Sequence, residues 1–200
     1  MNNKYGLIDK DGIWILPPIY QSLYSFDKFG YTAQLNGKAG KIDIKGNWQI
    51  SPQFDAMHSF DDQGYCSVMK KEKFGLIDLD ANLRVNLIFD SLFNDDSKGY
   101  TAQLNGKAGK INRKGEWIIK PNYTYLSGFS ETSFSIARTN EKYGIVNTNG
   151  EWHISPTYTE LTRINNELFK ASIDSNKYGV INLKNEWILS PIYDYILLLF

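Results

Sequence analysis

The stretch GYTAQLNGKAGKI occupies residues 30–42 and recurs without a single change at residues 99–111. The two copies begin 69 residues apart. Recurrence at a fixed distance is typical of a chain built from copies of one structural unit. The sequence therefore predicts a repeat fold.

A shorter signature inside this stretch shows that the unit is about half that long. It consists of a Lys, a variable residue and a Gly, followed shortly by Ile or Val. The signature glycines are Gly6, Gly40, Gly75, Gly109, Gly144 and Gly179, at intervals of 34 or 35 residues. We predict one repeat domain over residues 1–200, with repeats at approximately 4–37, 38–72, 73–106, 107–141, 142–176 and 177–200.

Each copy continues with a turn and then with Trp-x-aliphatic-x-Pro-x-aromatic, as in residues 14–20 and 187–193. All five tryptophans occupy this position: Trp14, Trp48, Trp117, Trp152 and Trp187. The third copy departs from the pattern, because Leu83 and Leu87 stand where the other copies have Trp and Pro.

The signature, the turn and the Trp segment together resemble the WG, or KWG, repeats of bacterial proteins. The resemblance extends over essentially the whole chain. One departure is plain: the residue before the signature Gly is Tyr, Phe or Ala here and never Trp. The resemblance implies a β-rich repeat fold and a binding role, and it implies no shared catalytic residues.

The residue pattern within each copy predicts short antiparallel strands. Apolar residues alternate with a period of two, and Gly, Asn and Asp interrupt them at short intervals. We predict three strands in a unit, for example at 30–35, 38–43 and 47–51, with a type I′ hairpin at Asn36-Gly37. The strand with the signature Gly is called the signature strand below, and the strand with the Trp segment is called the Trp strand.

Apolar residues occur on both faces of these strands, so each sheet must stack against neighbours on both sides. The expected fold is all-β, with six tandem three-stranded antiparallel meanders in an open curved or superhelical array. A closed six-bladed, propeller-like ring is the alternative. Copies two and four carry Lys41 and Lys110 where other copies have an aliphatic residue, and we expect these positions to be more exposed.

Composition and motifs argue against several functional classes. The 22 basic residues balance the 22 acidic ones, so nucleic acid and membrane are not expected partners. One cysteine and two histidines are too few for a zinc site. The turn at residues 9–12 resembles the start of a calcium loop, but most copies lack its second acidic residue. We therefore expect no metal, no cofactor, no enzymatic activity and a cytoplasmic location.

The leading functional hypothesis is a non-catalytic protein-binding scaffold, in one version an inhibitor or immunity-type partner of another bacterial protein. A glycan-binding module and a self-assembling structural protein, which forms a homo-oligomer through its apolar C-terminal edge, are the alternatives. The candidate contact residues are Tyr5, Phe74, Tyr143 and Tyr178 on the signature strands, Arg84 and His153 after the Trp position, and Ile196, Leu198 and Phe200 at the C-terminal edge. For the first four, packing between repeats is the competing interpretation.

Overall fold

The computed structural model describes residues 4–96, 98–129, 131 and 133–197, and all 22 regular elements in that part of the chain are β-strands. No helix among these residues is long and apolar enough to cross a membrane. In chain order the strands are β1 (Tyr5–Ile8), β2 (Trp14–Tyr20), β3 (Ser22–Asp27), β4 (Gly30–Leu35), β5 (Lys38–Ile42), β6 (Trp48–Phe54), β7 (Ala56–Met57), β8 (Tyr65–Lys70), β9 (Lys73–Asp78), β10 (Leu83–Phe89), β11 (Ser91–Asp96), β12 (Gly99–Leu104), β13 (Lys107–Ile111), β14 (Trp117–Tyr123), β15 (Tyr125–Leu126), β16 (Ser135–Thr139), β17 (Lys142–Val146), β18 (Trp152–Tyr158), β19 (Glu160–Arg163), β20 (Leu168–Ser172), β21 (Tyr178–Asn182) and β22 (Trp187–Tyr193).

The strands form six sheets, and within each sheet consecutive strands are neighbours. Sheet one is the pair β1-β2, and sheets two to six are β3 to β6, β7 to β10, β11 to β14, β15 to β18 and β19 to β22. None of these sheets closes on itself into a barrel. The predicted all-β fold of tandem antiparallel sheets is confirmed.

The sheets differ from the prediction in having a fourth strand. The three predicted strands are present in sheet two as β4, β5 and β6, but β3 precedes them and pairs with β4. The three-stranded meander is therefore corrected to a four-stranded one in sheets two to six. These first strands, called outer strands below, are as short as the two residues of β7 and β15, too short for a period of two to be recognised.

The chain divides into two compact units. The first comprises residues 1–92 and 113–115 and holds sheets one to three. The second comprises residues 93–112 and 116–200 and holds most of sheet four and all of sheets five and six.

In the first unit, the core lies between consecutive sheets. Leu16 and Tyr20 on the Trp strand of sheet one pack against Ala33 and Ile42 of sheet two. The rings of Tyr20 and Trp48 also meet edge to face, with centroids 6.1 Å apart. The same positions of sheet two pack in turn against sheet three, in a cluster that includes Ile50, Phe54, Val68 and Ile77.

The second unit repeats this arrangement. Ile154 and Tyr158 of sheet five are buried in one cluster with Ala171 and Ile181 of sheet six. Tyr158 meets the Trp of the next sheet edge to face, at 6.0 Å between centroids. Within each unit, the Trp strand of one sheet thus covers the middle strands of the following sheet, as the apolar residues on both faces led us to expect.

The signature Gly is required by a bulge in the neighbouring Trp strand. Lys41 pairs with Ile50 and Ala39 pairs with Phe54, so Gly40 alone faces three residues, 51–53. A Cβ on Gly40 would lie 2.4 Å from the carbonyl oxygen of Ile50. The corresponding distance is 2.4 to 2.5 Å in all six copies. Any side chain here would collide with backbone, which cannot swing aside as a side chain can.

The predicted type I′ hairpin is present at Asn36-Gly37, where φ is 53° and 76°. Asn105-Gly106 repeats it with 52° and 73°. A Cβ at Gly37 would meet nothing within 4 Å, so its backbone angle alone constrains this position.

The expectation that Lys41 and Lys110 are exposed is wrong, since each is only 1% exposed. The Nζ atom of Lys41 lies 2.6 Å from Oδ2 of Asp27 and donates to the carbonyl oxygen of Gly30 at 3.0 Å. The same Asp27 oxygen accepts the backbone N–H of Phe60 at 2.9 Å. This ion pair could not be predicted from the sequence, because Asp27 lies on an outer strand that leaves no recognisable pattern of alternation.

We predict that Gly40→Ala costs more than about 3 kcal/mol of the free energy of unfolding, since the added Cβ overlaps a carbonyl oxygen. In the matched control Gly37→Ala, the added Cβ lies in open space. This variant should cost only about 1 kcal/mol, because an alanine is strained at the positive φ of this position. Urea unfolding of both variants measures the difference. Equal losses would contradict the proposed role of the bulge.

We predict that Lys41→Met costs about 3 to 5 kcal/mol, because it leaves the largely buried Asp27 carboxylate without its cation. Lys38 pairs with Asp55 in a half-exposed position, so Lys38→Met should cost about 1 kcal/mol or less. Thermal and urea unfolding at pH 7 compare the two variants. Similar small losses would mean that burial does not strengthen the Lys41–Asp27 pair.

Candidate binding groove

The structure places the four predicted aromatic contacts at one equivalent position in four different sheets. Tyr5 is 50% exposed. Phe74 stacks on His58, with ring centroids 6.2 Å apart. Tyr143 and Tyr178 are half-buried in sheets five and six.

The other predicted contacts are also dispersed. Arg84 donates through Nε to Asp78 at 2.7 Å. His153 lies with Nε2 2.8 Å from the carbonyl oxygen of Leu183. Ile196 is half-buried, and the predicted contacts Leu198 and Phe200 lie outside the described residues.

Tyr143 borders a cavity of the second unit, a groove of about 610 Å³ between the outer strands of sheets five and six. This binding groove is lined by Tyr125, Ser127, Gly128, Ile136, Tyr143, Glu160, Leu161, Thr162 and Arg163. Ile136 and Leu161 are buried, whereas Tyr125 is 48% exposed. The groove therefore combines an apolar base with accessible aromatic and charged side chains.

The groove opens here because the end of β15 carries small residues. Ser127 and Gly128 follow β15, and the position of Ser127 is held by Tyr24 in sheet two and by His58 in sheet three. In the first unit the hydroxyl of Tyr24 reaches across to sheet three and donates to the carbonyl oxygen of Met57 at 3.3 Å. A serine is too short to bridge neighbouring sheets in this way.

Arg163 provides a half-buried positive charge in the groove. Its Nη2 donates to the carbonyl oxygen of Phe134 at 2.8 Å, and its guanidinium lies 5.0 Å from the ring centre of Phe169. Its Nη1 is buried and has no hydrogen-bond partner among the described residues. Burial lowers the pKa of Arg163. An acceptor brought by a ligand would satisfy this nitrogen.

A second guanidinium lies behind Tyr143. Arg138 on β16 sits over the Tyr143 ring, 5.3 Å from its centre. Its Nε is likewise buried without a hydrogen-bond partner in the described structure. Tyr143 also meets Tyr125 edge to face, at 6.2 Å between ring centroids. Arg138 thus adds positive charge next to the aromatic wall.

Glu160 gives the groove a negative charge on the same strand as Arg163. The hydroxyl of Tyr178 donates to Oε1 of Glu160 at 2.9 Å. This hydrogen bond is the main reason why the pKa of Tyr178 is raised. The predicted contact residue Tyr178 thus hydrogen-bonds to a carboxylate that lines the groove.

The Ser127 hydroxyl and the Cys66 thiol, two side chains of the nucleophilic type, are engaged in hydrogen bonds with the backbone. The Ser127 oxygen accepts the backbone N–H of Ile136 at 3.0 Å. Cys66, in sheet three, is fully buried and donates to the carbonyl oxygen of His58 at 3.0 Å, and burial raises the pKa of its thiol. Within the described ranges, no three His, Cys, Asp or Glu side chains are grouped so that they could hold a metal ion.

Sequence reasoning found only Tyr143 among the residues that line the groove. The available signal was the segment Tyr125-Leu126-Ser127-Gly128, in which small residues follow the outer strand where other copies have larger ones. The pairing of Glu160 with Tyr178 carries no such signal, because it depends on how strands β19 to β21 lie next to each other.

The sequence profile described as "WG containing repeat" matches residues 5–38, 40–74, 109–143, 143–176 and 178–197. The chain belongs to the WG-repeat family. The matches leave out residues 75–108, which include Leu83 and Leu87 in place of Trp and Pro. Sheet three nevertheless has its four strands, so the sheet forms even where the Trp and the Pro are both replaced by Leu.

Solved structures resemble this WG-repeat chain at very low sequence identity. The crystal structure of the computationally designed Ika8 protein gives a TM-score of 0.53 at 8% identity, and the alignment covers 96% of this chain and 70% of that one. The extracellular domain of the system BT4673 from B. thetaiotaomicron gives 0.48 at 12% identity, over 91% of this chain and 31% of that one. No curated protein matches the sequence. The likeness to Ika8 concerns the fold alone.

His58, which occupies in sheet three the position that Ser127 has at the groove, makes stability depend on pH. Burial lowers its pKa below the ordinary value of 6.5, so the folded protein takes up a proton at this residue less readily than the unfolded chain does. The unfolded chain gains a proton at this residue as the pH falls through 6.5, which favours unfolding. We predict that the free energy of unfolding falls between pH 7.5 and pH 5.5.

The control for this prediction is His58→Phe, which retains an aromatic ring and removes the titrating group. Its loss of stability over the same pH range should be smaller than that of the wild type in urea unfolding. His153 is present in both proteins and cancels in the comparison. Identical pH dependence would show that His58 is not the responsible group.

Proposed function

We propose that this WG-repeat chain is a non-catalytic protein-binding scaffold whose binding groove takes an extended segment of a partner with an acidic side chain. The observation that carries the proposal is the buried Nη1 of Arg163, which lacks a hydrogen-bond partner among the described residues. A carboxylate can accept from two guanidinium nitrogens at once, which makes it a better acceptor here than a neutral oxygen.

The rest of the groove supports a protein segment as the ligand. Tyr and Arg side chains are enriched among residues that contribute most to protein binding, and Tyr125, Tyr143 and Arg163 are of these types. The outer strand β19 is an edge strand of its sheet. An extended peptide can pair with such an edge while its side chains enter the adjoining groove.

The charged side chains in and beside the groove favour an acidic ligand group over a basic one. Arg138 and Arg163 each have a buried nitrogen without a partner in the described structure, whereas the Glu160 carboxylate already accepts from Tyr178. An acidic ligand group would therefore gain more hydrogen bonds than a basic one. A cytoplasmic inhibitor or immunity-type role is the version of this scaffold that we favour.

Glycan binding is less well supported. Sugar rings usually stack on the faces of tryptophan side chains. Trp48, Trp152 and Trp187 instead pack against a tyrosine of the preceding sheet, as in the Tyr123–Trp152 contact with ring centroids 5.4 Å apart. Tyr125 and Tyr143 meet edge to face and present no pair of parallel rings. Binding on a glycan array that survives loss of Arg163 would favour this alternative.

The proposal can be tested by selecting peptides from a random phage-displayed library on the immobilised 200-residue chain. We predict that the selected peptides share an Asp or Glu, and that Arg163→Met weakens their binding at least tenfold by fluorescence anisotropy. The matched control Arg84→Met removes an exposed arginine outside the groove and should leave binding unchanged.

Three outcomes would contradict the proposal. They are selected peptides without an acidic residue, equal binding to Arg163→Met, and equal loss in the Arg84→Met control. Arg163→Lys separates charge from geometry, because lysine keeps the charge but cannot bind a carboxylate through two nitrogens. We expect it to bind between the wild type and Arg163→Met.

A further inference from the structure

The Trp strand of sheet six has an apolar face that is covered in the other sheets. In β6 and β18, the residues at the two inward positions are buried, with Ile50 and Ile154 at 2% and 3% exposure. In β22 the equivalent residues are Leu189, which is half-buried, and Tyr193, which is 42% exposed. This tail face, defined as Leu189 and Tyr193, lacks a covering sheet in the described structure.

Sheet one has the complementary exposed face. Ile8 is 52% exposed, whereas the equivalent Ile42 and Ile181 are fully buried against the preceding sheet. Trp14 is 57% exposed, whereas the other four tryptophans are half-buried. This head face, defined as Ile8 and Trp14, has the same residue types that receive a Trp strand elsewhere in the chain.

The contacts that would join the two faces already occur inside the chain. Tyr20, Tyr123 and Tyr158 each meet the Trp of the next sheet edge to face, with centroids 5.4 to 6.1 Å apart. The hydroxyl of Tyr123 also donates to the carbonyl oxygen of Gly150, in the turn before that Trp strand. Tyr193 and Trp14 are the corresponding pair, and Gly12 corresponds to Gly150.

We propose that copies of this chain associate head to tail, with the tail face of one copy packed on the head face of the next. Tyr193 would then meet Trp14 of the neighbouring copy edge to face, and its hydroxyl would donate to the Gly12 carbonyl oxygen. The favoured occupant is a second copy because it presents the residue types and spacing that cover this face within the chain. Such an interface joins two different surfaces, so it can continue from copy to copy.

The interface is apolar, which determines how it should respond to solution conditions. Tyr195 and Leu197, next to the tail face, are 70% and 68% exposed and can add to the buried area. Because burial of apolar surface drives the contact, association should persist at high salt. This inference does not depend on the binding groove, and Arg163→Met should leave association unchanged.

The test is sedimentation velocity of the 200-residue chain over a hundredfold range of concentration. We expect the mean mass to rise with concentration, and expect Leu189→Lys or Ile8→Glu alone to reduce association at least tenfold. The control Ile44→Glu alters a residue outside both faces that is 54% exposed, close to the 52% of Ile8, and Ile173→Lys alters an exposed isoleucine outside both faces. Both controls should associate like the wild type. Circular dichroism checks that each variant remains folded.

Mixing the two face variants identifies the geometry. Leu189→Lys retains an intact head face and Ile8→Glu retains an intact tail face, so an equimolar mixture should form a dimer and no larger species. A wild type that stays monomeric at all concentrations would overturn the proposal. An Ile8→Glu variant that still associates by itself would also overturn it, because its altered head face cannot receive a tail face.

Discussion

Each small sheet of this protein has two apolar faces and cannot remove either of them from water alone. The hydrophobic effect therefore makes every sheet depend on its neighbours, and within each unit the Trp strand of one sheet covers the middle strands of the next. In the first unit, Tyr20 of sheet one packs with Ala33 and Ile42 of sheet two. In the second, Tyr158 of sheet five packs with Ala171 and Ile181 of sheet six. The stability of a sheet is thus a property of a pair of sheets.

The signature Gly allows this packing to recur in every copy, because it leaves room for the bulge in the neighbouring Trp strand. Because residues 51–53 bulge opposite Gly40, Phe54 pairs with Ala39 and enters the core that sheet two shares with sheet three. The bulge brings a carbonyl oxygen into the space where a Cβ would otherwise lie. A bulge locally bends a strand and changes where its side chains point. Glycine thus allows the Trp strand to pair within its own sheet and to pack its side chains against the next sheet.

The features that distinguish individual copies arise where this packing changes locally. Replacement of the large residue at the Tyr24 position by Ser127 leaves the second unit with an open groove. Lys41 occupies a core position and is tolerated because Asp27 and the Gly30 carbonyl oxygen surround its ammonium group. A buried charge is costly unless it is paired in this way. Function in a repeat protein can therefore depend on a few departures from an otherwise constant unit.

The sequence by itself determined the number of copies, the all-β fold, the hairpin at Asn36-Gly37 and the signature Gly, because periodicity and turn residues report local backbone conformation. It identified Tyr143 as a candidate contact but none of the other groove residues. Only the tertiary structure revealed the outer strands, the burial of Lys41 and the Arg163 nitrogen that has no hydrogen-bond partner among the described residues. These features depend on which strands lie side by side, and contacts between segments distant in sequence leave no periodic pattern along the chain.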